Sequence, residues 1–305
     1  MLNIVLLGCG RWGKLILRDL KSLGVSVAVL AHGPISQANA SAGGADVVVS
    51  EFHDLPEADA YVVAVPTSLH AQYLLRLLGN NKPIFCEKPL ADDVAEARRI
   101  VAAAGSRLFI MDKWRYHGGV LALKSVATSG ELGPVQGIKT VRVQWDSPHD
   151  DVDMDWILLP HDLSIALEVL GFIPEPVTAQ AEKSADGRLI SLCGTLASGQ
   201  TWMQFEVGIR SPSHRRLIEL RCRDGIATLS DAYVSAITLL RTDNVAGVAP
   251  LPQSRPVDVD MPLLKELAAF LAYVTGVGRP PRSSAADGLL IVERIADLRH
   301  IAGLQ

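Results

Sequence analysis

The sequence predicts an α/β chain of two domains, an N-terminal doubly wound parallel sheet and a C-terminal α+β domain on a mostly antiparallel open sheet. Three observations carry this. Short apolar, β-branched runs alternate with helical patterns up to about residue 116, a glycine-rich turn joins the first run to the first helix, and beyond 117 the runs lengthen and are separated by hairpin signals. A length of 305 residues suits two domains of ordinary size, 1–117 and 118–305. The closing helix, about 285–302, is expected to pack back on the first domain.

In order along the first half, strands are predicted at 3–7, 25–30, 46–49, 60–65, 83–86 and 108–111, with helices at 13–23, 69–78 and 92–104. A run apolar at every position, such as 61–65, belongs to a strand covered on both faces. In the second half a helix at 119–129 ends at Gly130, and strands follow at 135–146, 178–181, 190–196, 201–209, 216–221 and 236–240. The turns Ala185-Asp186-Gly187-Arg188 and Ala197-Ser198-Gly199-Gln200 favour antiparallel hairpins. One helix, 161–170, interrupts these strands. The segment 242–262, with Pro250, Pro252, Pro256 and Pro262, reads as an extended surface connection before helices at 263–275 and 285–302.

Composition narrows the function. Hydrophobic residues at 49% and charged residues at 20% exclude a disordered chain, and a net charge of −4 offers no global attraction to nucleic acid or an anionic membrane. The expected partner is a small molecule. Residues 1–7 lack a basic leader region and read as a strand, while the uncharged stretch 22–45 is broken by glycines and is no membrane span. Cys9, Cys86, Cys193 and Cys222 form no CxxC pair, so neither a zinc site nor a disulfide framework is expected, and a reducing cytoplasm fits best. The run from Ser147 to Asp155 holds His149 and four acids without regular ligand spacing. It reads as a solvated acidic loop first and a set of substrate-hydroxyl contacts second, and no metal site is expected.

The chemistry begins at Gly8-Cys9-Gly10-Arg11-Trp12-Gly13, a GxGxxG between a strand and an amphipathic helix. Gly8 allows the tight turn, Gly10 lets backbone approach a pyrophosphate, and Gly13 lets helix and strand pack closely, while the helix N-terminus offers amides and a positive dipole end to phosphates. The carboxylate that ordinarily binds the ribose 2′-hydroxyl is absent, and His32 stands in its place. With no carboxylate to repel a 2′-phosphate, His32, Arg11 or Ser36 could hydrogen-bond to one, which leans the reading to NADP over NAD. The alternative is that His32 only stacks near the adenine and either cofactor binds.

At the end of the fifth predicted strand stands Phe85-Cys86-Glu87-Lys88-Pro89-Leu90. A lysine at the carboxyl end of a strand in such a sheet sits at the ligand crevice, and Pro89 is a candidate for a cis bond behind it. Together with Val65-Pro66-Thr67-Ser68-Leu69-His70, Trp114-Arg115-Tyr116-His117 and Leu159-Pro160-His161-Asp162, these motifs resemble the Gfo/Idh/MocA oxidoreductase family over nearly the whole chain. The resemblance implies a Rossmann domain followed by an open-sheet domain used for homodimer or homotetramer contacts. It also implies hydride transfer between a nicotinamide and a sugar-like or nucleotide-sugar alcohol or ketone. By the same resemblance, Pro66, Thr67 and His70 would lie along the cofactor, Glu87 would brace the nicotinamide side, Lys88 would contact the reacting hydroxyl, and Arg115 and Tyr116 would line the crevice.

Lys88 can polarise the reacting oxygen and, beside a cationic ring, accept its proton; His161 is the other candidate because imidazole titrates near neutral pH. His161 reads as the start of a helix with Pro160 in its first turn, where Asp162 would serve either the helix dipole or the substrate. One departure stands out. Many family dehydrogenases carry an Asp four residues before that histidine, and here the position is Ile157, with neither Asp153 nor Asp155 in helical register with His161. Two alternatives therefore stay open: a non-catalytic dinucleotide or ligand sensor, and an imine or enone reductase.

Overall fold

The computed structural model describes residues 1–147, 151–242 and 251–304. The chain forms two compact units, Met1–Lys113 with Leu263–Val292, and Trp114–Pro262 with Glu293–Gln305. The division falls four residues before the expected residue 117, and the first unit also takes in the segment Leu263–Val292.

The first unit runs β1 (Asn3–Leu7), α1 (Gly13–Ser22), β2 (Ser26–Leu30), α2 (Pro34–Ala42), β3 (Val47–Val49), β4 (Ala60–Val63), α3 (His70–Leu77), β5 (Ile84–Glu87), α4 (Val94–Ala104) and β6 (Leu108–Met111). Its six strands pair in parallel in the order β3-β2-β1-β4-β5-β6. Every residue of β4 is buried, as a strand apolar at each position requires. The strand order reverses direction between β1 and β4, and that switch point is where parallel α/β sheets open a crevice at their carboxyl ends. Helix α2 was not expected. It opens on Gly33 at φ +77° and Pro34 in its first turn, but buries only Ala40, so its small polar residues show no apolar stripe.

In the second unit, α5 (Gly118–Ser129), β7 (Val135–Trp145), α6 (Met154–Leu170) and β8 (Glu175–Lys183) lead into β9 (Leu189–Ser198), β10 (Thr201–Gly208) and β11 (Arg210–Cys222). Strands β12 (Gly225–Leu229), β13 (Ala236–Arg241) and β14 (Gln253–Pro256) complete it. The sheet order is β14-β13-β12-β11-β7-β10-β9-β8, antiparallel throughout except for β7 with β10. Both hairpin turns fall where the sequence places them, between β8 and β9 and between β9 and β10. Two strands escaped prediction: β12, reached by a tight turn at Arg223-Asp224, and β14, inside the supposed extended connection. As the edge strand of its sheet, β14 accommodates Pro256 without disrupting a central ladder. Residues 243–250, including Pro250, lie outside the described residues.

The main correction concerns α6. It starts at Met154, seven residues before the predicted 161, and carries Pro160 inside it. Met154 through Pro160 are all buried, so the first half of the helix has no polar face to reveal a 3.6-residue period, and a proline, which supplies no N–H to the preceding turn, looked like a beginning.

The chain closes with α7 (Pro262–Val274) and α8 (Ala285–Ile301). In the first unit Leu263, Leu267, Phe270 and Leu271 of α7 join one core with Ile16, Phe85, Phe109 and Met111. Phe85 stacks on Phe270 at 4.8 Å and Phe109 meets Tyr273 edge-on at 4.9 Å. At roughly 1.5–3 kcal/mol for each large apolar side chain fully buried, this face anchors α7 to the parallel sheet. Among the described residues no helix is long and apolar enough to cross a membrane.

Candidate functional site

The glycine loop shows which of its glycines the fold itself demands. Gly8 closes β1 at φ +92°, and a Cβ there would stand 2.5 Å from the Ala64 carbonyl oxygen; a Cβ on Gly13 would stand 2.4 Å from the Gly8 oxygen. Both positions exclude any side chain. A Cβ on Gly10 would meet nothing within 4 Å, and the residue is exposed. Protein packing therefore does not account for Gly10. α1 begins three residues later with its amide end at the loop.

Around the loop, the Cys9 amide donates to Ser36 Oγ at 3.1 Å and Asn39 Nδ2 donates to the Cys9 carbonyl at 2.9 Å. Ser36, expected to reach a 2′-phosphate, thus braces the loop from α2. His32 is exposed just past β2, with Nε2 2.8 Å from the Tyr73 hydroxyl, and Arg11 is exposed in the loop itself. These two side chains are the candidates for the ribose end.

At the carboxyl end of β4, Pro66 is exposed and Thr67 buried. His70 is buried, with Nδ1 2.7 Å from the Pro89 carbonyl oxygen and Nε2 3.1 Å from that of Val65. Both ring nitrogens face backbone carbonyl oxygens, of which a neutral imidazole can donate to one, so His70 sits between the two loops that carry them. One of these is the Lys88–Pro89 turn, whose peptide bond is cis.

Glu87 ends β5 and is the centre of a charged cluster. The Trp12 indole N–H donates to Glu87 Oε1, and Lys113 Nζ lies 4.4 Å from the Trp12 ring centroid. Asp112 and Glu266 are both 1% exposed. Burial, against the pull of Lys88, the Trp12 hydrogen bond and Lys113, pushes the Glu87 carboxyl up to about 7, and Asp112 adds to the rise. Burial first, then Glu87 and Asp112, holds Glu266 well above the carboxylate range. The sequence reading missed Asp112, Lys113 and Glu266. Their signals were present: the first two directly follow a parallel strand, at its ligand end, and Glu266 is an acid on the apolar stripe formed by Leu263, Leu267 and Phe270.

In the second unit, His161 is half-buried on α6, one turn after Ile157. Asp162 corrects the helix-start reading. It is the ninth residue of α6, far from the helix N-terminus, and its carboxylate is buried against Arg142, with Nε–Oδ2 2.8 Å and Nη2–Oδ1 3.2 Å. Arg142 also lies over the Trp114 ring at 4.7 Å. Arg115 donates from Nε to Glu168 at 2.8 Å, Lys124 takes the other Glu168 oxygen at 2.8 Å, and Tyr116 is buried. The acidic run is likewise not wholly solvated. Asp155 is fully buried and accepts from Arg299 through both oxygens, at 2.9 and 2.8 Å, and Asp153 accepts from the same guanidinium at 3.0 Å. Pro148, His149 and Asp150 lie outside the described residues.

The profile of the Gfo/Idh/MocA group, described as an oxidoreductase family with an NAD-binding Rossmann fold, matches residues 2–109. An inositol 2-dehydrogenase of Streptomyces avermitilis is 34% identical over 144 residues, 44% of this chain and 42% of that enzyme. The chain spans about half the length of the curated relatives it matches. An oxidoreductase from Magnetospirillum magnetotacticum has a crystal structure with TM-score 0.81 and 25% identity, covering 97% of this chain and 98% of that one. A levoglucosan dehydrogenase solved with NADH and levoglucosan shares the fold, at TM-score 0.82 and 16% identity over 99% of this chain and 97% of that one.

Proposed function

Since residues 2–109 belong to the Gfo/Idh/MocA oxidoreductase family, we propose that this protein is an NAD(P)-dependent oxidoreductase acting on a sugar-like or nucleotide-sugar alcohol or ketone. The observation that carries the reading is the pairing, through the Trp12–Glu87 hydrogen bond, of the glycine loop after β1 with the Glu87-Lys88 end of β5. These are the carboxyl ends of strands on either side of the switch point, where doubly wound sheets bind ligands.

Gly8, Gly10, Gly13 and the start of α1 would receive the pyrophosphate, and Arg11 and His32 the ribose. With no carboxylate at His32, the reading leans to NADP, with NAD the alternative. A bound nicotinamide would supply the hydride donor or acceptor. The protein's part is proton management and orientation: Lys88 Nζ holds the reacting oxygen and takes or returns its proton, and His161 is the second proton-handling group. The substrate class follows the inositol and levoglucosan dehydrogenases among its relatives. Self-association through the second sheet belongs to the same reading, as does a reducing compartment, which suits four free cysteines.

Lys88→Met tests the assignment. Dinucleotide affinity should persist while turnover of any identified polyol or sugar falls by about 10²–10⁴-fold; undiminished turnover would remove Lys88 from the reaction. Ile157 favours a second reading, a dinucleotide sensor without catalysis, because it leaves His161 without a carboxylate one turn away. Binding of NAD(P)H with no hydride transfer to any member of a polyol and sugar panel would select it.

A further inference from the structure

On the sheet of the second unit, Arg142 of β7 and Arg216 of β11 are cross-strand partners, so their side chains leave the same face side by side. Like charges so placed repel. Arg142 is compensated by Asp162 of α6, which takes its Nε and Nη2 at 2.8 and 3.2 Å. Arg216 is half-buried and held by neutral oxygens alone: Nη1 donates to the Val143 and Arg215 carbonyls at 2.9 and 2.8 Å, and Nη2 donates to Gln144 Oε1. Among the described residues no carboxylate pairs with Arg216, and its Nε donates to nothing. Asp231 is near enough to act on its charge, but an oxygen of that carboxylate accepts from the Tyr233 amide at 3.1 Å. Burial, then the charge of Arg142, pushes the Arg216 guanidinium down to about 10, against the pull of Asp162 and Asp231.

We propose that Arg216, backed by Gln144 and Arg142, is an oxyanion subsite, so that the substrate carries a carboxylate or phosphoryl group in addition to the alcohol or ketone that reacts. The inference deepens the proposed oxidoreductase reading and rests on it. A guanidinium tied down by neutral acceptors is already oriented, and the N–H groups left over belong to the planar fork that matches an oxyanion. Binding there loses little side-chain freedom, since the protein has fixed the side chain beforehand. An anion would also supply Arg216 with the counter-charge that Asp162 gives to Arg142 by direct contact. The neighbourhood fits a substrate. Asp162 directly follows His161, the second proton-handling group, and Trp114 of the Trp114-Arg115-Tyr116-His117 motif lies against Arg142 at 4.7 Å. Arg115, the arginine that the motif itself supplies, is engaged by Glu168, which leaves Arg216 to recognise an anion. With a net charge of −4 the whole chain offers no attraction to an anionic substrate, so a local group must provide it.

The test reads binding separately from hydride transfer. Calorimetry on the full chain sets D-glucuronate, D-glucose 6-phosphate and UDP-glucose beside uncharged D-glucose, and the same four compounds are then assayed for hydride exchange with NAD(P). At least one anion should bind about tenfold or more tightly than glucose, and the preference should shrink as ionic strength rises. Preference for glucuronate assigns the subsite to a carboxylate, and preference for the other two assigns it to a phosphoryl group. Arg216→Gln should abolish the preference, while Arg216→Lys, which keeps the charge without the fork, should retain part of it; melting curves of both variants confirm that they fold. Wild-type protein that binds none of the three anions, or none more tightly than glucose, overturns the inference, and hydride transfer on glucose would leave the oxidoreductase reading standing. A preference that survives in folded Arg216→Gln overturns the assignment to Arg216. An Arg216-dependent preference without hydride transfer from any of the four supports the oxyanion subsite and turns the reading toward the dinucleotide sensor.

Discussion

Trp12, in the glycine loop, donates its indole N–H to the carboxylate of Glu87, 75 residues away at the end of β5. The bond ties the glycine turn after β1 to the Lys88 turn after β5. A hydrogen bond to a charged acceptor contributes about 1.5–3 kcal/mol. Trp12→Phe keeps an aromatic ring near Lys113 and removes the donor together with part of the indole's bulk. Calorimetric titration with NAD(P)H should show roughly tenfold weaker binding, and an unchanged dissociation constant would mean that Glu87 is held in place without Trp12.

The three glycines of the loop separate fold from function. Gly8→Ala and Gly13→Ala drive a methyl group against backbone oxygens at 2.5 and 2.4 Å, and both should lower the melting temperature markedly. Gly10→Ala, with open space around its Cβ, should melt within a degree or two of wild type yet lose most of its dinucleotide affinity, because the methyl group occupies the phosphates' approach. Wild-type affinity in Gly10→Ala would place the phosphates elsewhere.

The parallel half was legible because its signals are local. Uninterrupted apolar strands, a glycine loop after the first of them and Glu87-Lys88-Pro89 at a strand end announce the sheet and the carboxyl ends of its strands. Less of the rest is local. Nothing near Asp162 in sequence reveals Arg142 on β7, and nothing near Asp155 reveals Arg299 on α8, so both acids looked available to solvent or substrate. Pro160 imitated a helix start because burial on all sides had erased the period before it. Glu266 was hidden by a separation of 179 positions from Glu87, the group that gives it meaning.

Asp162 gives the next test. Its bidentate pair with Arg142 lies inside the second unit, with both side chains almost fully buried. Burial raises the Asp162 carboxyl, and Arg142 pulls against that rise. Asp162→Asn leaves the Arg142 cation buried without its counter-charge, a loss of about 3–5 kcal/mol. Urea denaturation should show it, with dinucleotide affinity per folded molecule unchanged. A raised KM with full stability would instead restore Asp162 to the substrate.

Glu266 makes a prediction about stability that needs no cofactor. An unfolded glutamate ionises near pH 4.3, whereas the native Glu266 carboxyl, held well above that range by burial and by Glu87, keeps its proton. Between those two values the folded state binds more protons than the unfolded one, so stability falls as pH rises, by up to about 1.4 kcal/mol per pH unit for one group. Glu87 contributes with the same sign until about pH 7. Glu266→Gln has no proton to lose, so the variant should melt close to wild type near pH 4.5 and progressively above it toward pH 8. If the two melting curves instead run parallel across that range, Glu266 is ionised in the native protein.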